Sequence, residues 1–284
     1  MGEILTTKNP YKIESPALIS FSGGRTSGYM LYHILDAFDG KLPEGVYVTF
    51  ANTGKERNET LDFVNDCSGH WGVPIHWLEF RDSQEKAKFD RYIEVDYESA
   101  SRDGTPFDAL INRKGYLPNP MTRFCTVELK IRVMRDFAKS TLGWKKWTNV
   151  IGLRADEANR VTNMHKRNMD KQPWTAIAPM HDAGVSEDHV MEFWSNQPFD
   201  LKIQSHEGNC DLCFLKATAK INRILRTNPE LGAWWIGKEK DYGQPFRIDR
   251  PTYGAILEGV QMQSEFNFGI FDDLLTCDTN ACTD

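Results

Sequence analysis

Hydrophobic positions along the first third of the chain fall into short continuous runs that alternate with one-sided stripes. Ala17-Leu18-Ile19-Ser20-Phe21 is an apolar run of strand length. It leads into Ser22-Gly23-Gly24-Arg25-Thr26-Ser27, after which apolar residues recur at Met30, Leu31, Ile34, Leu35 and Phe38, the spacing of an amphipathic helix. Val46 to Phe50 predicts a second strand, Leu61, Phe63 and Val64 mark a second helical segment, and Ile75 to Leu78 predicts a third strand. Alternation of this kind requires right-handed crossovers, and so a doubly wound, mainly parallel α/β sheet.

Between residues 81 and 120 the rhythm breaks. Charged residues, Gly104, Pro106, Gly115, Pro118 and Pro120 read as an insertion or lid. Periodicity returns with Phe124, Val127, Ile131, Met134 and Ala138, which predict a helix, and Trp147 to Ile151 predicts a fourth strand ending at Gly152. Glu187 to Trp194 and Cys213 to Leu225 have helical spacing, and the remaining C-terminal residues show no clear pattern. The organisation expected is an α/β domain over 15–215, with 81–120 as its insertion, and a helical, cysteine-bearing C-terminal extension over 216–284 packed on it.

The chain has 284 residues, 40% of them hydrophobic, which is enough to bury a globular core. A net charge of −6 excludes a molecule built as a whole to coat a polyanion. Locally the balance reverses: between Arg123 and Arg167 eleven Lys or Arg stand against four acids. That excess suits a phosphate-rich ligand, and equally a solvated basic face. No apolar run approaches the about 20 residues of a membrane span, and no basic-then-apolar leader opens the chain, so a cytoplasmic protein without membrane contact is expected. Six cysteines without an export signal point to metal or redox chemistry before disulfides.

The candidate chemistry begins in the turn after the first strand. A strand that passes through glycines into a helix N-terminus directs several backbone N–H groups at one point, where the helix dipole adds positive charge. Gly23 and Gly24 permit close approach of a phosphate, Ser22, Thr26 and Ser27 offer hydroxyls, and Arg25 offers a charge. No Gly-Lys-Ser/Thr closes the loop, so it is not a Walker A motif.

Ser22-Gly23-Gly24-Arg25-Thr26-Ser27 resembles the Ser-Gly-Gly-x-Asp-Ser loop of pyrophosphatase-loop (PP-loop) ATPases. Two further segments are similar to those of the phosphoadenosine phosphosulfate (PAPS) reductase family: Ala51-Asn52-Thr53-Gly54 followed by Glu59-Thr60, and Gly152-Leu153-Arg154-Ala155-Asp156-Glu157 followed by Arg160. All three follow predicted strands, at the rim where open parallel sheets bind ligands. The resemblance implies a Rossmann-like, adenine nucleotide α-hydrolase-like fold that takes ATP or PAPS, with Mg2+ if ATP is used. It places Ser22 to Ser27 on the phosphates and Asn52, Thr53 and Gly54 by the adenosine. Arg25, Arg154 and Arg160 would offset charge in the reaction, with Asp156 and Glu157 orienting the arginines or a metal. Asn52 stands where the family usually has Asp.

Cys210-Asp211-Leu212-Cys213 is a C-x-x-C pair expected at the mouth of a helix. Cys125 is expected to open the helix near Arg123, with its pKa lowered by the helix dipole and that arginine. Cys125, Cys210 and Cys213 resemble the ligands of the family's iron–sulfur branch, with Thr126 replacing a fourth, which implies a [4Fe–4S] cluster with one open iron. A structural zinc site formed by Cys210 and Cys213 with Cys277 and Cys282, or free thiols, fit the spacing as well. The Glu-Cys-Gly-x-His segment with which the family's reductases attack sulfate is absent from the sequence. The function implied is adenylyl and sulfur transfer or sulfonucleotide reduction, with a sulfur donor or thiol reductant as partner. Alternatives are sulfur modification of nucleic acid, with RNA or DNA held by the basic stretch and the insertion, and a non-catalytic nucleotide-binding module.

Overall fold

Six strands form one sheet in the order β4-β3-β2-β1-β5-β6. They are β1 (Ala17–Ser20), β2 (Val46–Asn52), β3 (Ile75–Phe80), β4 (Tyr92–Val95), β5 (Trp147–Ile151) and β6 (Trp174–Ile177). All neighbours pair in parallel except β4, which runs antiparallel to β3. The computed structural model describes residues 9–83, 89–168, 172–204 and 207–265, with the backbone alone for 263–265.

Side chains alternate across the sheet, so each face acquires its own core. Ala17, Ile19, Val48 and Phe50 point to one side, where they meet helices α1 (Arg25–Ala37), α2 (Asn58–Trp71) and α7 (Glu187–Ser195). Leu18, Leu78, Phe80 and Trp147 point to the other. There they meet α3 (Thr105–Lys114), α4 (Arg132–Ser140), α8 (Thr218–Thr227), α9 (Gly232–Tyr242) and α10 (Tyr253–Glu265). Trp235, Phe246 and Tyr253 are buried in this second core with Leu18, so the C-terminal helices share it with the sheet. Two further helices, α5 (Ala158–Asn168) and the short α6 (Pro179–Asp182), flank β6.

The doubly wound α/β architecture expected from the alternating pattern is the one observed, and four strands fall where the apolar runs place them. Three local expectations differ. The segment 81–120 is more than an insertion, because it supplies the edge strand β4 and helix α3. The helix expected from Phe124 begins as a π-helix, Cys125–Ile131, before continuing as α4. Its wider turn shifts the buried stripe to Leu129, Val133 and Phe137, and leaves Val127 and Ile131 exposed. The helix expected from Cys213 starts only at Thr218, so Cys210 and Cys213 lie in the irregular segment ahead of it.

Chain order gives the sheet its functional feature. From β1 the chain winds outward through β2 and β3, then returns to the other side of β1 as β5. The carboxyl ends of β1 and β5 therefore flank a topological switch point, where a crevice forms in open α/β sheets.

Candidate nucleotide and thiol site

The turn after β1 is held by one hydroxyl. Ser27 Oγ accepts hydrogen bonds from the backbone N–H of Ser22 at 3.2 Å and of Gly24 at 3.3 Å, and it donates to Gly24 O at 2.9 Å. Gly23 has φ +79°, and a Cβ there would stand 2.7 Å from Thr60 Cγ2, so neither conformation nor space admits a side chain. α1 begins at Arg25, and its first-turn N–H groups lack intrahelical partners at the sheet's carboxyl rim.

The segment after β5 closes on this turn. Gly152 packs against it, since a Cβ there would lie in van der Waals contact with Ser27, 3.4 Å from its Cα. Arg154, nearly buried, donates from NH1 to Thr26 Oγ1 at 3.2 Å. Its other contacts are Asp156 Oδ1 at 3.0 Å, Glu187 Oε2 at 3.2 Å and Glu157 Oε2 at 4.0 Å. Burial alone would lower the Arg154 pKa, but these carboxylates outweigh it and hold the guanidinium charged. Glu157 also accepts the Arg154 backbone N–H at 2.9 Å and pairs with Arg160, which stays at the surface.

Arg25 is placed differently from Arg154. Its Nε and NH2 form a bidentate pair with Asp200 at 2.7 and 2.8 Å, while NH1 and NH2 also reach the carbonyls of Ile203 and Leu201. Its hydrogen bonds go to the 200–203 segment, whereas one of those from Arg154 goes to the turn itself.

At the end of β2, Asn52 is fully buried. Its Nδ2 donates to Glu79 Oε1 at 2.6 Å and to Ser101 O at 2.8 Å, and its Oδ1 accepts the N–H of Gly54 at 3.0 Å. Asn52 therefore shapes the Asn52–Gly54 turn from behind. Thr53 donates from both N and Oγ1 to Glu56 Oε2, each at 2.7 Å, and the other Glu56 oxygen accepts Lys130 Nζ at 3.2 Å.

The segment 207–213 joins these loops to the cysteines. Arg57 N donates to Asn209 O at 2.8 Å, Asp211 N donates to Lys55 O at 2.9 Å, and Glu56 forms a β-bridge with Cys210. Asn209 Nδ2 donates to Ser22 O at 2.9 Å, in the Ser22–Ser27 turn itself. Lys55 Nζ pairs with Asp211 Oδ2 at 2.9 Å, with both side chains under a tenth exposed, and Arg57 pairs with Glu207 at 3.2 Å. A buried pair of this kind persists because each charge is compensated: Asp211 also accepts from Trp235 Nε1 at 2.9 Å, and Lys55 Nζ lies over the Trp234 ring at 5.1 Å.

The Cys210 and Cys213 thiols interact directly, and that interaction, with Lys216 and Lys130, outweighs burial and lowers the Cys213 thiol while Cys210 moves up. Cys125 feels the charge of Cys213, so the three cysteines named from the sequence are electrostatic neighbours. The expected activation of Cys125 is not found. Burial, then Cys213, pushes its thiol up to about 11, because it opens a π-helix inside the protein and not an exposed helix end. Among the described residues, no three His, Cys, Asp or Glu side chains converge as a metal centre does. The donor chemistry nevertheless suits a thiophilic group: three thiols, with Lys130 and Lys216 favouring thiolate. Cys277 and Cys282 lie outside the described residues. Cys67 is buried within α2, and Trp235 is core.

Lys55, Glu56, Lys130, Asn209 and Asp211 were not visible as site residues in the sequence. They are ordinary polar residues, and only the folding of 207–213 across two loops gives them their place.

No protein-family profile matches the chain. The nin region protein ORF290 of Escherichia phage lambda is 30% identical over 283 residues, covering 94% of this chain and 93% of that protein. The protein MJ0066 of Methanocaldococcus jannaschii is 25% identical over 261 residues, covering 89% of this chain, which spans 47% of that protein's length. Among solved structures, the U34-tRNA thiolase NcsA from Methanococcus maripaludis with its [4Fe–4S] cluster is similar at 14% identity and TM-score 0.38, over 94% of this chain and 77% of that one. A PAPS reductase from Candida auris in a phosphate complex is similar at 12% identity and TM-score 0.40, over 68% and 81%. Among the described residues, no helix is long and apolar enough to cross a membrane.

Proposed function

This chain belongs to the family of the phage lambda nin region protein ORF290, and from its site we propose an enzyme that binds an adenine nucleotide at the β1–β5 switch point and breaks a bond at its phosphate end. The observation that carries this is the hydrogen bond from Arg154 to Thr26 Oγ1, which joins the third motif to the first. It sets a guanidinium held charged by three carboxylates beside a turn of backbone N–H groups. Charge that develops on phosphate oxygens in the transition state meets donors already in position.

With ATP, a nucleophilic group of the substrate attacks the α-phosphorus, the bond to the bridging oxygen breaks, and pyrophosphate departs with the electron pair. The amides of the Ser22–Ser27 turn bind the phosphates, Arg154 offsets the growing charge, and Asp156 and Glu157 keep Arg154 oriented. Mg2+ bound to ATP would add charge neutralisation at the pyrophosphate. Cys125, Cys210 and Cys213 are the residues that would hold an iron–sulfur cluster, which supplies an iron open to a sulfur atom. Lys130 and Lys216 offset part of the burial that keeps Cys125 and Cys210 protonated, and a bound metal would displace those protons.

The acidic Cys213 thiol favours a second reading, sulfonucleotide reduction. Its thiolate attacks the sulfur of PAPS, the S–O bond breaks, and the nucleotide leaves as a phosphate. The Cys210 thiol then attacks Cys213, forming a disulfide and releasing sulfite, and an external dithiol restores the pair.

Calorimetry of the folded protein with ATP, AMP and PAPS, with and without Mg2+, tests the proposal. Binding of at least one is expected, and no affinity for any of them rejects it. Pyrophosphate release from ATP supports the first reading, and sulfite release from PAPS supports the second. Iron and acid-labile sulfide in anoxically purified protein would assign the cysteines to a cluster.

A further inference from the structure

A basic face lies along the helix that starts at Cys125, and neither the nucleotide nor the thiols account for it. Its centre is Glu128, whose side chain is 7% exposed. Three cations converge on it: Arg132 NH1 at 2.6 Å, Lys114 Nζ at 3.1 Å and Arg91 NH1 at 3.4 Å. Each of the three is 30–38% exposed. One turn further along, Arg135 covers Asp136, which is fully buried. Arg135 and Lys139 both lie over the ring of Phe89, at 5.3 and 5.0 Å.

The arrangement puts carboxylates inside and cations outside. Among the described residues, five cations face outward over two buried carboxylates, an excess of three positive charges on a molecule of net charge −6. At the margin Arg81 with Asp90, and Arg113 with Asp82, form neutral pairs that leave the excess unchanged. On α4 the outward positions Arg132, Arg135 and Lys139 form a stripe about 10 Å long. Burying carboxylates beneath exposed cations costs desolvation that a merely solvated surface has no need of, since the same cations could stand alone in water.

The geometry points to this face as a docking surface for the sugar-phosphate backbone of a nucleic acid. A narrow line of phosphates can follow a stripe, and Arg forks match phosphate oxygens. A stripe about 10 Å long matches one line of phosphates better than the plane of a bilayer surface. The surface goes beyond the nucleotide chemistry proposed above and does not depend on it.

The test is fluorescence anisotropy with a labelled 20-nucleotide single-stranded RNA, the DNA of the same sequence, and the DNA duplex. Three phosphate contacts on a single strand, each contributing about 0.7 to the salt slope, weaken binding about twentyfold between 50 and 200 mM salt. The double variant Lys114→Gln with Lys139→Gln leaves Arg91 and Arg132 on Glu128, and Arg135 on Asp136. It folds with a thermal midpoint lowered only by the lost Lys114–Glu128 bond, binds more weakly, and its salt effect falls to about threefold. Comparing the RNA and DNA arms identifies the preferred polymer.

No binding of any of the three at 50 mM salt overturns the inference, as does binding the double variant leaves unchanged. Capture by phosphatidylserine vesicles with the same sensitivity to the two substitutions would assign the face to a membrane and overturn it too. ATP titration of the same samples separates the two proposals. Nucleic-acid binding without nucleotide binding removes only the proposed function, and the reverse removes only this surface.

Discussion

Asn52 and Glu79 face each other across β2 and β3, with the Asn52 amide donating to Glu79 Oε1 at 2.6 Å. Glu79 also accepts Ser101 N at 2.6 Å and Ser101 Oγ at 2.9 Å, so the carboxylate is surrounded by donors. An aspartate at position 52 would set a second carboxylate directly opposite the first, inside the protein. The neutral residue at 52 is thus matched to the acid at 79.

Asn52→Asp is expected to destabilise the fold by about 2–3 kcal/mol, through two lost donors and like-charge repulsion in a buried site. Adding Glu79→Gln should recover much of the loss, because the glutamine amide can donate to Asp at 52. Urea unfolding of the native protein, both single variants and the double variant closes the cycle. Absence of coupling between the two positions contradicts the pairing.

The two arginines proposed from the motifs separate experimentally. Arg154→Ala is expected to weaken nucleotide binding at least tenfold, which is about 1.4 kcal/mol, because the guanidinium stands on the phosphate turn. Arg25→Ala is expected to leave affinity within about threefold and to lower stability by about 1 kcal/mol, because its partner is Asp200. Calorimetry and thermal unfolding of both variants measure this, and a larger binding loss from Arg25 than from Arg154 would reverse the assignment.

Gly23→Ala should be among the most damaging small substitutions. It places a methyl group 2.7 Å from Thr60 Cγ2 and within 3.1 Å of Phe50 and Val64, at φ +79°. A cost of about 2–3 kcal/mol is expected, together with loss of nucleotide binding. Gly40→Ala is the control for the conformational part, since it also has positive φ but nothing within 4 Å.

Glu128 makes the basic face acid-sensitive. Burial alone would raise its pKa, but Lys114 and Arg132 outweigh burial and hold the carboxyl below its ordinary value. A carboxyl lowered on folding contributes stability that is fully present above its unfolded pKa and is lost as pH falls through the folded one. Glu128→Gln should therefore narrow the difference in urea midpoint between pH 7 and pH 4, and an unchanged difference would rule out this contribution.

Much of the architecture was legible in the chain because buried strands and one-sided helices leave a periodic trace. Ala17 to Phe21, Val46 to Phe50 and Trp147 to Ile151 are such traces, and the three motifs lie at the strand ends where the structure brings them together. Residues 125–131 misled because a π-helix has a longer period than the one sought, so Val127 and Ile131 read as core and face water. β4 and β6 were missed as short edge strands with half-exposed residues, which have no continuous apolar run. The direction of Arg25 was not legible either, because its partner Asp200 lies 175 residues away.

The segment from Glu207 to Cys213 has a mechanical consequence. Asn209 grips the carbonyl of Ser22, Lys55 and Arg57 bind Asp211 and Glu207, and the same few residues carry both sulfurs of the C-x-x-C pair. A ligand that spread the first turn would therefore tug on the cysteines, and one that gripped the cysteines would stiffen the turn. By thermodynamic reciprocity, each would alter the other's affinity by the same factor, so the order in which they arrived could not change the strength of the final assembly.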